Sequence, residues 1–260
     1  VFASDREGQW DLYTVDPEAG ATARLTESAA NERYPVWSPS GDRVLYLSDR
    51  DDRTDLWVLD LASRATERLT DDASEETPAD WTPDGLGIVF AVAPPEIGGP
   101  WRIETLDLES RERRTLLVER YRALWPRFDG DGGALAFFSR RDTGGEDDEI
   151  YLLEGETGSP RRLFEKAGHD FCPAWSPDGR RLAFASIEGD SRFIAVIDRS
   201  GGTPRRLTAD FERATEPSWS PDGRRVAFAG RRDGNYDVYV VPAAAQLDRR
   251  PGEPERPRGG

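Results

Sequence analysis

The chain has 260 residues, enough for one large all-β domain or two ordinary ones. Its net charge of −15 argues against nucleic acid as a partner, because an acidic surface repels the phosphate backbone. A single cysteine rules out an internal disulfide and the multi-cysteine zinc patterns, and no apolar run approaches the length of a membrane-spanning helix.

In chain order, the first strand-like runs are Val1-Phe-Ala-Ser4 and Trp10-Asp-Leu-Tyr-Thr-Val-Asp16, followed by the short Ala23-Arg-Leu-Thr26. Runs of β-branched, aromatic and aliphatic residues between turn formers read as strands, and they are too short for helices. The same three runs then recur, each time preceded by an opening. The openings are Pro35-Val-Trp-Ser-Pro-Ser-Gly41, Pro78-Ala-Asp-Trp-Thr-Pro-Asp-Gly85, Pro126-Arg-Phe-Asp-Gly-Asp-Gly132, Pro173-Ala-Trp-Ser-Pro-Asp-Gly179 and Pro217-Ser-Trp-Ser-Pro-Asp-Gly223. Their aromatic residues, Trp37, Trp81, Phe128, Trp175 and Trp219, are spaced 44, 47, 47 and 44 residues apart. In Ser-Pro-Asp-Gly, Pro presets φ, Asp bonds locally and Gly accepts positive φ, so each opening turns as a hairpin into the next strand.

Four strands per unit of this length is the signature of a propeller blade. Five full openings and one partial unit predict an all-β, six-bladed β-propeller over residues 1–242. Its blades are four-stranded and antiparallel, and the first lacks its opening strand. The missing strand is expected from residues before Val1 or from the C-terminal tail. Residues 243–260 read as a tail whose first part offers a last outer strand, while the rest, rich in Pro, Gly and charge, reads as disordered.

The repeated Trp residues are expected in the core between blades, and Trp101 and Trp125, which break the pattern, as exposed contacts. Asp11, Asp55 and Asp237 begin or adjoin the third strand and are expected to cap turns or bind backbone amides. Cys172 is expected to be a small buried side chain. Asp129-Gly-Asp131-Gly132 stands where the other units have their hairpin and reads as a turn rather than a calcium loop.

Function is expected in the polar, variable residues before each Pro, where one blade passes to the next and the loops converge on a channel mouth. The candidate binding residues are Glu32, Arg33, Tyr34, Glu75, Glu76, Arg122, Trp125, His169, Asp170, Arg213 and Glu216. No Gly-x-Ser-x-Gly elbow and no phosphate-cradling glycine loop occurs, and His169 is the only histidine. The expectation is therefore no catalytic residue, no metal ligand and no cofactor.

The pattern Pro-x-Trp-Ser-Pro-Asp-Gly-Arg-x-apolar-Ala-Phe, then Asp-apolar-Tyr, then Arg-Leu-Thr, resembles the repeat of the TolB-type, WD-like β-propellers from Val1 to about Val241. That resemblance implies a protein-binding scaffold of the periplasm or another extracytoplasmic space, recognising a protein or peptide at one face. Similar blades form the propeller half of prolyl-oligopeptidase-type serine peptidases, the first alternative. A carbohydrate- or metal-binding propeller, with a small ligand or cation in the channel, is the second. The related oligogalacturonate lyases place several histidines on a metal, which one histidine cannot do.

Overall fold

The computed structural model describes residues 1–50, 53–71, 77–94, 96–155, 158–165 and 168–243. Six antiparallel sheets follow one another along the chain as the blades of a propeller. Blade 1 has three strands, β1 (Phe2–Ser4), β2 (Asp11–Val15) and β3 (Thr22–Arg24). Blade 2 comprises β4 (Glu32–Trp37), β5 (Arg43–Ser48), β6 (Asp55–Asp60) and β7 (Thr66–Arg68). Blade 3 comprises β8 (Asp80–Trp81), β9 (Gly87–Val92), β10 (Trp101–Asp107) and β11 (Arg113–Glu119). Blade 4 comprises β12 (Ala123–Phe128), β13 (Ala134–Ser139), β14 (Glu149–Glu154) and β15 (Arg161–Arg162). Blade 5 comprises β16 (His169–Trp175), β17 (Arg181–Glu188), β18 (Ser191–Asp198) and β19 (Arg205–Arg206). Blade 6 has β20 (Arg213–Trp219), β21 (Arg225–Arg232) and β22 (Asn235–Pro242). Blade 1 shows no innermost strand among the described residues, as expected. Blade 6 shows three strands among the described residues, and its expected outer strand falls mainly on 244–249, outside them.

The hairpins form as their chemistry dictates. Gly41, Gly85, Gly132, Gly179 and Gly223 all have φ between 64° and 74°, and each N–H closes the turn on the carbonyl three residues back. In the Asp129–Gly132 turn, Asp129 is buried and pairs with Arg199 at 2.8 Å. Side chains alternate across each sheet, so each blade offers one apolar face to the blade before it and another to the blade after. Five buried clusters fill the junctions 1/2, 2/3, 3/4, 4/5 and 5/6.

The repeated Trp ties neighbouring blades together. Trp81, Trp175 and Trp219 donate their indole N–H to the carbonyls of Val36, Arg127 and Ala174 in the preceding blade, at 3.2, 3.0 and 3.2 Å. Phe128 has no such donor, and its neighbour Arg127 donates instead to the Ala79 carbonyl at 2.7 Å. Trp37 departs from the expected core placement. It is 39% exposed, and no inner strand of blade 1 lies beside it among the described residues.

The third and fourth strands carry a second repeated device. Asp11 and Asp55 do not cap turns. They are buried and pair with Arg24 and Arg68 of the fourth strand, and Glu149 pairs likewise with Arg162. Blade 5 has Phe193 at this position, with the Arg206 guanidinium 4.4 Å over its ring. Asp237 is exposed on β22, which has no fourth strand beside it among the described residues.

Candidate functional site

The innermost strands carry a feature of the site that periodicity does not reveal. In blades 2, 4, 5 and 6 the register of the first strand pair slips by a β-bulge, at Arg33/Val36, Leu124/Arg127, Phe171/Ala174 and Thr215/Ser218. Inside each bulge the residue before Pro has left-handed backbone: Tyr34 (φ 55°), Trp125 (58°), Cys172 (54°) and Glu216 (54°). Left-handed φ in a non-glycine residue costs about 1–2 kcal/mol, and a bulge re-aims the side chain it carries.

Those side chains meet at the axis. Tyr34 of blade 2 and Trp125 of blade 4, which are not neighbouring blades, pack edge to face at 5.2 Å. Trp125 also lies 6.3 Å from Phe138. It is thus half-buried inside the channel rather than an exposed contact, and Trp101 is likewise half-buried, at the start of β10. Glu216 is open to the channel, yet its carboxyl is surrounded by protein. That desolvation raises its pKa, while the Arg127 charge pulls it down. Burial also raises the Tyr34 phenol, helped by the Glu216 charge. Burial pushes the Cys172 thiol up strongly, with Glu216 adding to it; the expected buried cysteine is found.

At the mouth, Arg122 and His169 come together on a residue that the sequence did not single out. Asp148 receives two hydrogen bonds from Arg122, at 3.0 and 2.5 Å, and two from Arg140, at 3.0 and 3.1 Å. Desolvation would raise its pKa, but the two guanidiniums hold the carboxyl below the usual range. His169 accepts the Asp148 backbone N–H on Nδ1 at 3.3 Å, which leaves Nε2 directed toward Asp147 at 3.8 Å. Arg122, Phe138, Arg140, Asp148, His169, Phe171 and Ile187 line a cavity of about 310 Å³ between blades 4 and 5. The available signal was the run Arg140 to Asp148, a second-to-third-strand loop longer than its counterpart in blade 5, with arginines at one end and aspartates at the other.

The other candidates scatter. Glu32 is fully buried; Arg50 and the Ser28 hydroxyl occupy its Oε1, so it is framework rather than mouth. Asp170 is also fully buried, its N–H bonded to the Asp148 carbonyl at 2.7 Å. Arg33 is exposed and lies 5.1 Å over the Trp10 ring. Arg213 is exposed at the start of β20, opposite Arg231. Glu75 and Glu76 lie outside the described residues.

Residues 94–251 match the TolB beta propeller domain, and residues 6–91 match the N-terminal region of dipeptidyl peptidase IV. None of the curated proteins matches the sequence. Among solved structures, TolB from Acinetobacter baumannii is 23% identical with a TM-score of 0.77, over 91% of this chain and 58% of that one. The puromycin-hydrolyzing peptidase of Mycobacterium tuberculosis is 19% identical with a TM-score of 0.66, over 94% of this chain and 42% of that one. An oligogalacturonate lyase in complex with manganese is 19% identical with a TM-score of 0.64, over 94% of this chain and 71% of that one. At these identities the likeness is one of fold. The chain spans little more than half the length of that TolB. No helix among the described residues is long and apolar enough to cross a membrane.

Proposed function

Because the chain belongs to the TolB β-propeller domain family, we propose that it is a non-catalytic scaffold that binds a protein or peptide at the channel mouth. The observation that carries this is the cavity between blades 4 and 5. It joins an apolar floor of Phe138, Phe171 and Ile187 to a rim of Arg122, Arg140 and His169. A concave apolar surface edged by a few fixed polar groups suits a side chain presented by a partner. Asp148 locks both guanidiniums, so the rim is organised before the partner arrives. We read residues 1–242 as the propeller, with Ala243, expected to open the tail, still packed into the 5/6 cluster. By family likeness, its setting is outside the cytoplasm.

Selection of random peptides against the full chain tests the proposal. Selected peptides should lose at least about tenfold in affinity, or about 1.4 kcal/mol, for the Phe171→Ala or Arg122→Ala chain. Peptides indifferent to both substitutions would refute a mouth site. A second reading has its own support, in the match of residues 6–91 to the N-terminal region of dipeptidyl peptidase IV. Under it, the chain is the propeller half of a serine peptidase. An α/β-hydrolase with Gly-x-Ser-x-Gly encoded in the flanking sequence would favour that reading over the first.

A further inference from the structure

The hydrogen bonds around Asp148 leave the cavity between blades 4 and 5 with donors to spare. Arg122 and Arg140 each turn the Nε and Nη2 side of the guanidinium toward Asp148, so each carboxylate oxygen accepts two bonds. Four bonds fill the acceptor sites of a carboxylate. Arg140 spends Nη1 on the Gly145 carbonyl at 3.2 Å. Arg122 keeps Nη1 without a partner among the described residues, on a side chain that is 37% exposed. His169 accepts the Asp148 N–H on Nδ1, which puts the proton of the neutral ring on Nε2. Asp147 Oδ1 stands 3.8 Å from Nε2, beyond hydrogen-bond distance, and Asp147 does not line the cavity. Arg122 and His169 thus flank one residue and offer unspent N–H groups beside it.

Charge and size narrow the occupant. Two guanidiniums face one carboxylate in the cavity lining, within a chain whose net charge is −15. A locally cationic, donor-rich rim calls for an anion that accepts hydrogen bonds, and a guanidinium suits a carboxylate best. The floor of Phe138, Phe171 and Ile187 calls for an apolar body joined to that anion. At about 310 Å³ the cavity lies at the small end of ligand pockets, with room for one large residue rather than a long segment.

We propose, building on the mouth site of the preceding section, that the cavity captures the C-terminal residue of a partner chain: its free carboxylate together with a large apolar side chain. The carboxylate accepts from Arg122 and His169, and the side chain lies on Phe138, Phe171 and Ile187. Only a terminal residue presents both groups from one Cα. An internal Asp or Glu brings a carboxylate without the apolar body, and an internal Phe or Leu brings the body without the charge. Capture of a chain end fixes the partner's register with few contacts. Asp148 holds the Arg122 fork in place beforehand, so little side-chain freedom is lost on binding.

The test is an array of random octapeptides, each synthesised with a free C-terminus and again as the C-terminal amide, probed with the full chain. Binders are remeasured in solution by fluorescence polarisation. The peptides that count are those weakened at least about tenfold by Phe171→Ala, the loss expected of a buried anchor contact. Among them the free acid should bind at least about tenfold more tightly than the amide, the worth of hydrogen bonds to a charged group. Their last residue should be Phe, Leu, Ile, Met or Trp. His169→Ala should weaken the acid about three- to tenfold and leave the amide unchanged. Peptides that depend on Phe171 yet bind equally as acid and amide, or whose last residue is immaterial, would overturn this inference and leave the mouth site standing. An array in which no binder responds to Phe171→Ala or Arg122→Ala would overturn both.

Discussion

Replacing Trp81 and Trp37 by Phe, one at a time, isolates what the inter-blade indole contributes. Trp81 is 4% exposed, donates to the Val36 carbonyl at 3.2 Å and lies under the Arg43 guanidinium at 4.6 Å. Phe keeps a ring but removes the N–H, leaving that carbonyl unsatisfied at a cost of about 1–3 kcal/mol. The smaller ring leaves a cavity worth roughly 1 kcal/mol more. Together these give about 2–4 kcal/mol, or a Tm lower by roughly 4–12 °C for a chain of this size. Trp37 makes no such bond among the described residues and is 39% exposed, so Trp37→Phe should cost less than about 1 kcal/mol. Urea and thermal unfolding followed by circular dichroism measure both. Equal costs at the two positions would refute the argument that the indole works through the preceding blade's carbonyl.

Three further outcomes follow from other contacts. Arg68→Ala strands the buried Asp55 carboxylate and should cost about 3–5 kcal/mol, whereas Arg206→Ala, which removes a cation–π contact, should cost about 1 kcal/mol; unfolding in urea compares them. Burial raises the Glu149 carboxyl to about 7, against the Arg162 charge, which lowers it. A raised folded-state pKa means that this group's contribution is fully present below the unfolded value and is lost as pH rises through about 7. The stability difference between the native chain and Glu149→Gln should therefore fall between about pH 5 and pH 7.5 and flatten above, as read from urea midpoints across that range. Cys172, buried with a raised thiol pKa, should react with a disulfide reagent only when the chain is unfolded; a prompt reaction in the native state would contradict its placement.

The framework was legible because it is local. Ser-Pro-Asp-Gly specifies its hairpin within four residues, and the apolar alternation specifies which side of a blade is buried. The site was legible only in part, because it depends on which blades end up side by side. Glu32 reads as a polar mouth residue, yet its partner Arg50 lies across the β4–β5 hairpin and draws it into the interior. Arg122 and His169 were found as breaks in the pattern. Asp148, which joins them, was not, because it belongs to a different loop of the blade. Trp37 was misplaced for the converse reason. The repeat assigns it to the core, yet it is 39% exposed, with no inner blade 1 strand beside it among the described residues.

The four left-handed residues that precede Pro in the innermost strands explain how one scaffold can keep its framework and vary its axis. The Pro after each fixes φ and gives up an N–H that the bulge leaves unpaired, so the strand can slip there without losing a ladder bond. The side chain thrown inward reaches other blades as well as its own, as the Tyr34–Trp125 and Trp125–Phe138 contacts show. Its identity is therefore unconstrained by the repeat, and the four positions hold two aromatic rings, a thiol and a carboxyl. In this chain two of the four are large rings in contact across the axis. Under the proposed mouth site, that aromatic pair stands next to the Arg122 and His169 cavity, since Trp125 lies 6.3 Å from Phe138 of the cavity wall.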